Sequence, residues 1–94
     1  MIIGITDKEF DIIKKILKKY NGEFYVYGSR VKGDFSALSD LDIMVKTDNY
    51  EQIISNLKSD FDKSNLPYIA NFTNYSTIDK HFYNLIKNSL VQIK

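Results

Sequence analysis

Residues 28–42 read GSRVKGDFSALSDLD, and the rest of the chain makes sense around them. Gly28-Ser29 marks a tight turn, and after ten intervening residues, 30–39, two carboxylates follow at i, i+2, Asp40 and Asp42. Successive side chains of a β-strand alternate faces, so Asp40 and Asp42 project to one side, within reach of one cation or a pair. Mg²⁺ suits that arrangement. It takes hard oxygen ligands, keeps several waters, and is held by one or two carboxylates while substrate phosphates complete its octahedron. The Gly-Ser turn provides for those phosphates: a residue without Cβ lets the backbone approach an anion, and N–H groups at the start of a following short helix point toward it. Without that chemistry, the same residues describe a surface loop running into an edge strand with two solvated aspartates.

Working outward, Glu23 to Tyr27 is an aromatic-rich strand that delivers Gly28-Ser29, residues 29–32 allow one helical turn, and Gly33 ends it. Residues 34–39 form a loop, and residues 40–45 form a second strand with Leu41, Ile43 and Val45 turned to the core. Upstream, Thr6 and Glu9 form a capping box with Ile5 and Phe10 at the staple positions, opening a helix over residues 7–20. Its apolar stripe is Phe10, Ile13, Ile16, Leu17 and Tyr20, and Asn21-Gly22 stops it. Lys14, Lys15, Lys18 and Lys19 lie largely off the stripe; they read as a solvated face suited to the helix C-terminus, with a partner patch as the alternative. Downstream, residues 48–59 make a second long helix buried through Tyr50, Ile53, Ile54 and Leu57. A third strand covers residues 68–73, a last helix carries Ile78, Phe82, Leu85 and Ile86, and residues 90–93 suggest a short fourth strand. Alternating helices and strands predict an α/β (α+β) sandwich with a small mixed sheet of three to four strands.

Ninety-four residues fit one small domain, taken here as 1–94. A net charge of +1, from twelve lysines, Arg30 and 12 acidic residues, argues against a strongly basic nucleic-acid-binding face. Cysteine is absent, so no disulfide framework or thiolate metal site is expected, and a reduced cytoplasm is the simplest location. No apolar run approaches the ~18 residues needed to span a bilayer. The sequons at Asn71 and Asn74 are read as coincidence, and His81, off the last helix's stripe, as a surface residue. Tyr25 and Tyr27 flank the turn closely enough to stack on a base, but alternating aromatics on a strand are more often core.

Gly-Ser, ten residues, then Asp-x-Asp between two strands resembles the signature of the DNA polymerase β-like nucleotidyltransferase superfamily, and in particular its minimal nucleotidyltransferase (MNT) branch. The resemblance runs from Gly4-Ile5-Thr6 to Leu66-Pro67 and the last helix. It implies that fold, and Mg²⁺-dependent attack on the α-phosphorus of ATP with loss of pyrophosphate. Gly28, Ser29, Arg30 and Ser39 would then form the nucleotide-binding set. Asp40 and Asp42 would hold the metal, and Arg30 would offset charge on the triphosphate or leaving pyrophosphate. The alternative for Arg30 is a structural ion pair with Asp34 or another acid, and for Lys32 a surface position.

The family's third carboxylate sits on the strand after the second long helix. Matching Leu66-Pro67 and the following strand puts Asn71 there, and no acid lies between Asp62 and Asp79 to replace it. A neutral amide supplies neither charge nor a proton acceptor, so what the MNT resemblance implies about function divides into two expectations. One is an antitoxin that attaches AMP to a tyrosine of a HEPN-domain toxin; the other is a weakened or inactive pseudoenzyme that neutralises the toxin by binding. A small-molecule nucleotidyltransferase is a third reading, for which the chain offers little acceptor pocket unless a homodimer supplies one.

Overall fold

The computed structural model describes residues 4–33 and 39–94, with the backbone alone at Ser29 and Lys32. In chain order come α1 (Asp7–Leu17), β1 (Glu23–Tyr27), α2 (Ser29–Lys32), β2 (Leu41–Lys46), α3 (Tyr50–Asp62), β3 (Ala70–Asn74) and α4 (Lys80–Ile86), then a 3₁₀ turn (Lys87–Ser89) and β4 (Val91–Gln92). The expected loop lies mostly outside the described residues, at 34–38.

The sheet order is β3-β2-β1-β4. β1 pairs antiparallel with both β2 and β4, and β2 pairs parallel with β3, so the sheet is small and mixed as expected. Alternation then sorts the side chains. Phe24, Val26, Leu41, Ile43 and Val45 are fully buried on one face against Ile13 and Leu17 of α1 and Ile53, Leu57 and Phe61 of α3. Tyr27 and Met44 are buried on the other face with Ile86 of α4, so Tyr27 belongs to the core.

Local chemistry sets the element ends. The Thr6 hydroxyl accepts from Glu9 N–H at 3.1 Å and the Glu9 carboxylate accepts from Thr6 N–H at 3.2 Å, a complete capping box. α1 ends at Leu17 and not at Tyr20, because Lys19 N–H and Tyr20 N–H donate three residues back, to Ile16 and Leu17, and tighten the last turn. Phe10 is half-buried under the Lys14 ammonium, 4.9 Å from its ring centroid. Lys14, Lys15 and Lys18 are exposed, while Lys19 bridges to Asp60 of α3 at 2.9 Å.

α3 begins and ends later than the expected 48–59. At its start, the Thr47 hydroxyl bonds Asn49 Oδ1 at 2.8 Å and the Asn49 carbonyl receives the first helical N–H groups, leaving Asp48 outside. At its end, Phe61 continues the stripe from Leu57 and meets Phe72 of β3 edge-to-face at 5.2 Å.

The last helix departs most from expectation. Asp79 caps it by accepting from Phe82 N–H at 3.1 Å, so Ile78 precedes it. Phe82 and Leu85 are 38% and 67% exposed, and the side turned inward carries Tyr83 and Ile86.

Candidate active site

Gly28 ends β1 with φ +88°, a backbone state that side chains with a Cβ rarely adopt. Its carbonyl accepts from Val31 N–H at 3.1 Å, so the turn passes directly into α2, whose first residue is Ser29. A Cβ at Gly28 would lie 2.6 Å from Oδ2 of Asp42. The turn and the carboxylate are therefore packed against each other.

Register fixes the rest. Asp42 on β2 stands between Tyr27 on β1 and Asn71 on β3. Asp40 precedes β2 and is exposed, while Asp42 is half-buried. Asn71 turns to the same side of the sheet: its Nδ2 donates to Oδ2 of Asp40 at 2.8 Å and lies 3.4 Å from Oδ1 of Asp42. Both carboxylates thus converge on one point, which a single amide nitrogen marks. Burial pushes the Asp42 carboxyl above its ordinary value, the Asn71 amide opposes that rise, and the neighbouring Asp40 charge adds to it.

Beneath the carboxylates, the Tyr27 and Thr73 hydroxyls meet at 2.8 Å and tie β1 to β3 across β2. Burial raises the Tyr27 hydroxyl, the Thr73 bond lowers it, and the Asp42 charge raises it. Phe82 closes on the Tyr27 ring edge at 5.9 Å.

Arg30 is 2% exposed. Its Nε donates to the Ser39 carbonyl at 2.9 Å, an η-nitrogen donates to the Gly4 carbonyl, and the guanidinium lies 3.7 Å from the centre of the Tyr68 ring. The guanidinium therefore joins the N-terminal approach, the residue before Asp40 and the approach to β3. Asp34, the acid weighed as its partner, is outside the described residues. Ser39 reaches this joint through its backbone. His81 is exposed on α4.

Sequence reasoning missed Tyr68, Thr73 and the tie to Tyr27. Each acts across strands or loops far apart in the chain, and no local spacing signals it.

Among the described residues no three His, Cys, Asp or Glu side chains cluster as a metal site. The donor set is two carboxylates and an amide. That set fits a cation arriving with a nucleotide, for which one or two carboxylates suffice.

The sequence profile of the nucleotidyltransferase domain family matches residues 10–94. The chain is also 29% identical over 96 positions to a Haemophilus influenzae protein named "Probable protein adenylyltransferase MntA", the match spanning 98% of this chain and 84% of that one. No helix among the described residues is long and apolar enough to cross a membrane. With the profile running through the Gly-Ser turn, the paired aspartates and the whole mixed sheet, the chain belongs to the nucleotidyltransferase domain family.

Proposed function

We propose that this chain transfers AMP from ATP to a hydroxyl of a partner protein, a tyrosine of a HEPN-domain toxin, and so serves as an antitoxin. The observation that carries the reading is the convergence of Asp40 and Asp42 on one point beside the Gly28 turn. The name of the Haemophilus relative, a probable protein adenylyltransferase, supports a protein acceptor.

Asp40 and Asp42 would hold Mg²⁺, which when bound offsets charge on the phosphoryl oxygens. The Gly28-Ser29 turn receives the β- and γ-phosphates. In the transfer, the acceptor oxygen bonds to the α-phosphorus. The bond from that phosphorus to the α,β-bridging oxygen breaks, pyrophosphate leaves with the electron pair, and the hydroxyl proton passes to water. Asn71 cannot take that proton, because an amide has no basic site near neutral pH. Arg30 acts as a positioning residue: its burial and carbonyl contacts favour a joint that holds the turn and Asp40 in register over a direct phosphate contact.

The Asn71 bridge favours a second reading, an antitoxin that binds its toxin without efficient transfer. Labelled ATP, Mg²⁺ and the purified partner separate the two. Transfer predicts a labelled partner with the native chain and none with Asp42→Ala. A folded complex that stays unlabelled, and still neutralises toxin after Asp40→Ala/Asp42→Ala, sinks transfer and leaves binding.

A further inference from the structure

The geometry points to the outer edge of β3, entered past Ile69, as the docking surface for an extended, uncharged segment of the protein acceptor. This rests on the transfer reading above and gives it a direction. The Gly28 turn lies at the end of β1, while β1 and β3 flank β2 on opposite sides. In-line displacement puts the attacking and leaving oxygens on opposite sides of the phosphorus. With the leaving pyrophosphate over the β1 turn and the carboxylates on the β2 side, the attacking hydroxyl comes from the side of β3.

β3 is built to receive a strand. Among the described residues it pairs only with β2, so its other edge presents unpaired N–H and C=O groups. Natural edge strands are guarded by lysines, inward charges or prolines against such pairing. Here no charged residue occurs from Ser64 to Ile78, the one proline of the stretch, Pro67, lies ahead of β3, and β3 itself reads ANFTN.

Ile69 stands at the entrance. Its carbonyl accepts from Leu41 N–H at 2.8 Å, which sets it beside Asp40, yet its side chain is 66% exposed. Ala70 and Phe72 pack into the core and Asn71 turns to the carboxylates, so alternation puts Ile69 on the carboxylate face. An added strand would lay one side chain on Ile69 and another, two residues away on the same face, toward Asp40 and Asp42. The acceptor hydroxyl therefore has an aliphatic neighbour at i±2.

Synthetic nine-residue peptides with one central tyrosine test this, carrying valine, lysine or glutamate two residues from the tyrosine, or a proline that blocks strand pairing. Each is incubated with the native chain, Mg²⁺ and ATP, and AMP-tyrosine is read by mass spectrometry. The valine peptide is expected to be labelled best, and Ile69→Lys to lower that labelling by roughly tenfold or more, the effect of losing one buried aliphatic anchor. Leu85→Lys, exposed on α4, should leave it unchanged. Equal labelling by native chain and Ile69→Lys overturns the inference. So does a failure to label any peptide by a chain that does label the purified partner. If Ile69→Lys only splits a dimer on sedimentation and transfer is untouched, the edge joins two copies of this chain and the inference is again wrong. Should the native chain label neither a peptide nor the purified partner, the transfer reading itself fails.

Discussion

The missing side chain of Gly28 is the space that Oδ2 of Asp42 uses, since a Cβ there would stand 2.6 Å from that oxygen. Gly28→Ala therefore meets two penalties, a clash with Asp42 and backbone strain at φ +88° that alone costs about 1–2 kcal/mol. A double-mutant cycle separates them. In an Asp42→Ala background the clash is gone, and Gly28→Ala should cost only the strain. Equal costs in both backgrounds would show that the carboxylate does not depend on the glycine.

Asn71→Asp would put a third acid where the amide now bridges Asp40 and Asp42. Without metal the variant should melt lower than the native chain, because three close carboxylates repel and one keeps its proton to higher pH. Mg²⁺ should reverse the loss, by about 2.7 kcal/mol at a hundredfold excess over Kd. Any transfer rate should rise, with general-base help worth ~10²–10⁴. Thermal melts with and without Mg²⁺ and ATP check it; identical Mg²⁺ dependence in both proteins would remove Asn71 from the metal position.

Asp42 gives a pH dependence of definite sign. Its pKa is raised on folding, chiefly by burial, above the ordinary 3.8. The stability it contributes is present in full below the unfolded value and is lost as pH rises through the folded value. In metal-free buffer, Asp42→Asn should thus gain stability relative to the native chain across the acid range and stay ahead at neutrality. Urea midpoints measured at successive pH values test this, and Mg²⁺ with ATP should close the gap only in the native chain.

Asp60 has the opposite sign. Hydrogen bonds from Lys19 and Tyr20 hold it below 3.8, while burial and the Asp60 bond push the Tyr20 hydroxyl up to about 12. Its contribution is present above the unfolded pKa and is lost as pH falls through the folded one. Asp60→Asn should cost about 0.5–1 kcal/mol at pH 7, as for an exposed pair screened by water and salt, and nothing at strongly acid pH. A pH-independent cost in denaturant titrations would place the effect in packing.

Arg30→Lys should be poorly tolerated. An ammonium has no planar fork to reach the Ser39 and Gly4 carbonyls while lying flat on Tyr68. A loss of about 2 kcal/mol is expected, since part-buried carbonyls lose a charged donor. If Tm were kept and only nucleotide affinity fell, Arg30 would be a phosphate contact.

How far the sequence could be read follows from where each signal lives. β1, α2 and the capping box are local events, set by alternation at residues 23–27, the two punctuating glycines and the Thr6/Glu9 spacing, and they appear where expected. The placement of Asn71 came through the matched Leu66-Pro67 segment, and the parallel register of β2 and β3 puts its side chain on the carboxylates. What escaped depends on tertiary partners. Phe82 and Leu85 have helical spacing like any core pair, but the sheet offers α4 only the surface around Tyr27 and Met44, where Ile86 and Tyr83 pack inward, Phe82 meets only the Tyr27 ring edge and Leu85 stays exposed. Likewise nothing near Arg30 in the chain announces Tyr68, since the joint forms only when β3 is in place.

The shallow seating of α4 bears on the order in which the protein loosens. At seven residues the helix is shorter than the ~12–15 that persist alone in water, and it buries only Ile86 fully, whereas α3 buries Ile53, Leu57 and Phe61. Its amides should exchange with solvent deuterium well before those of α1 and α3, as an opening that costs less than global unfolding. Each such opening lifts Phe82 from Tyr27 and wets the aromatic floor under Asp42 without parting the sheet.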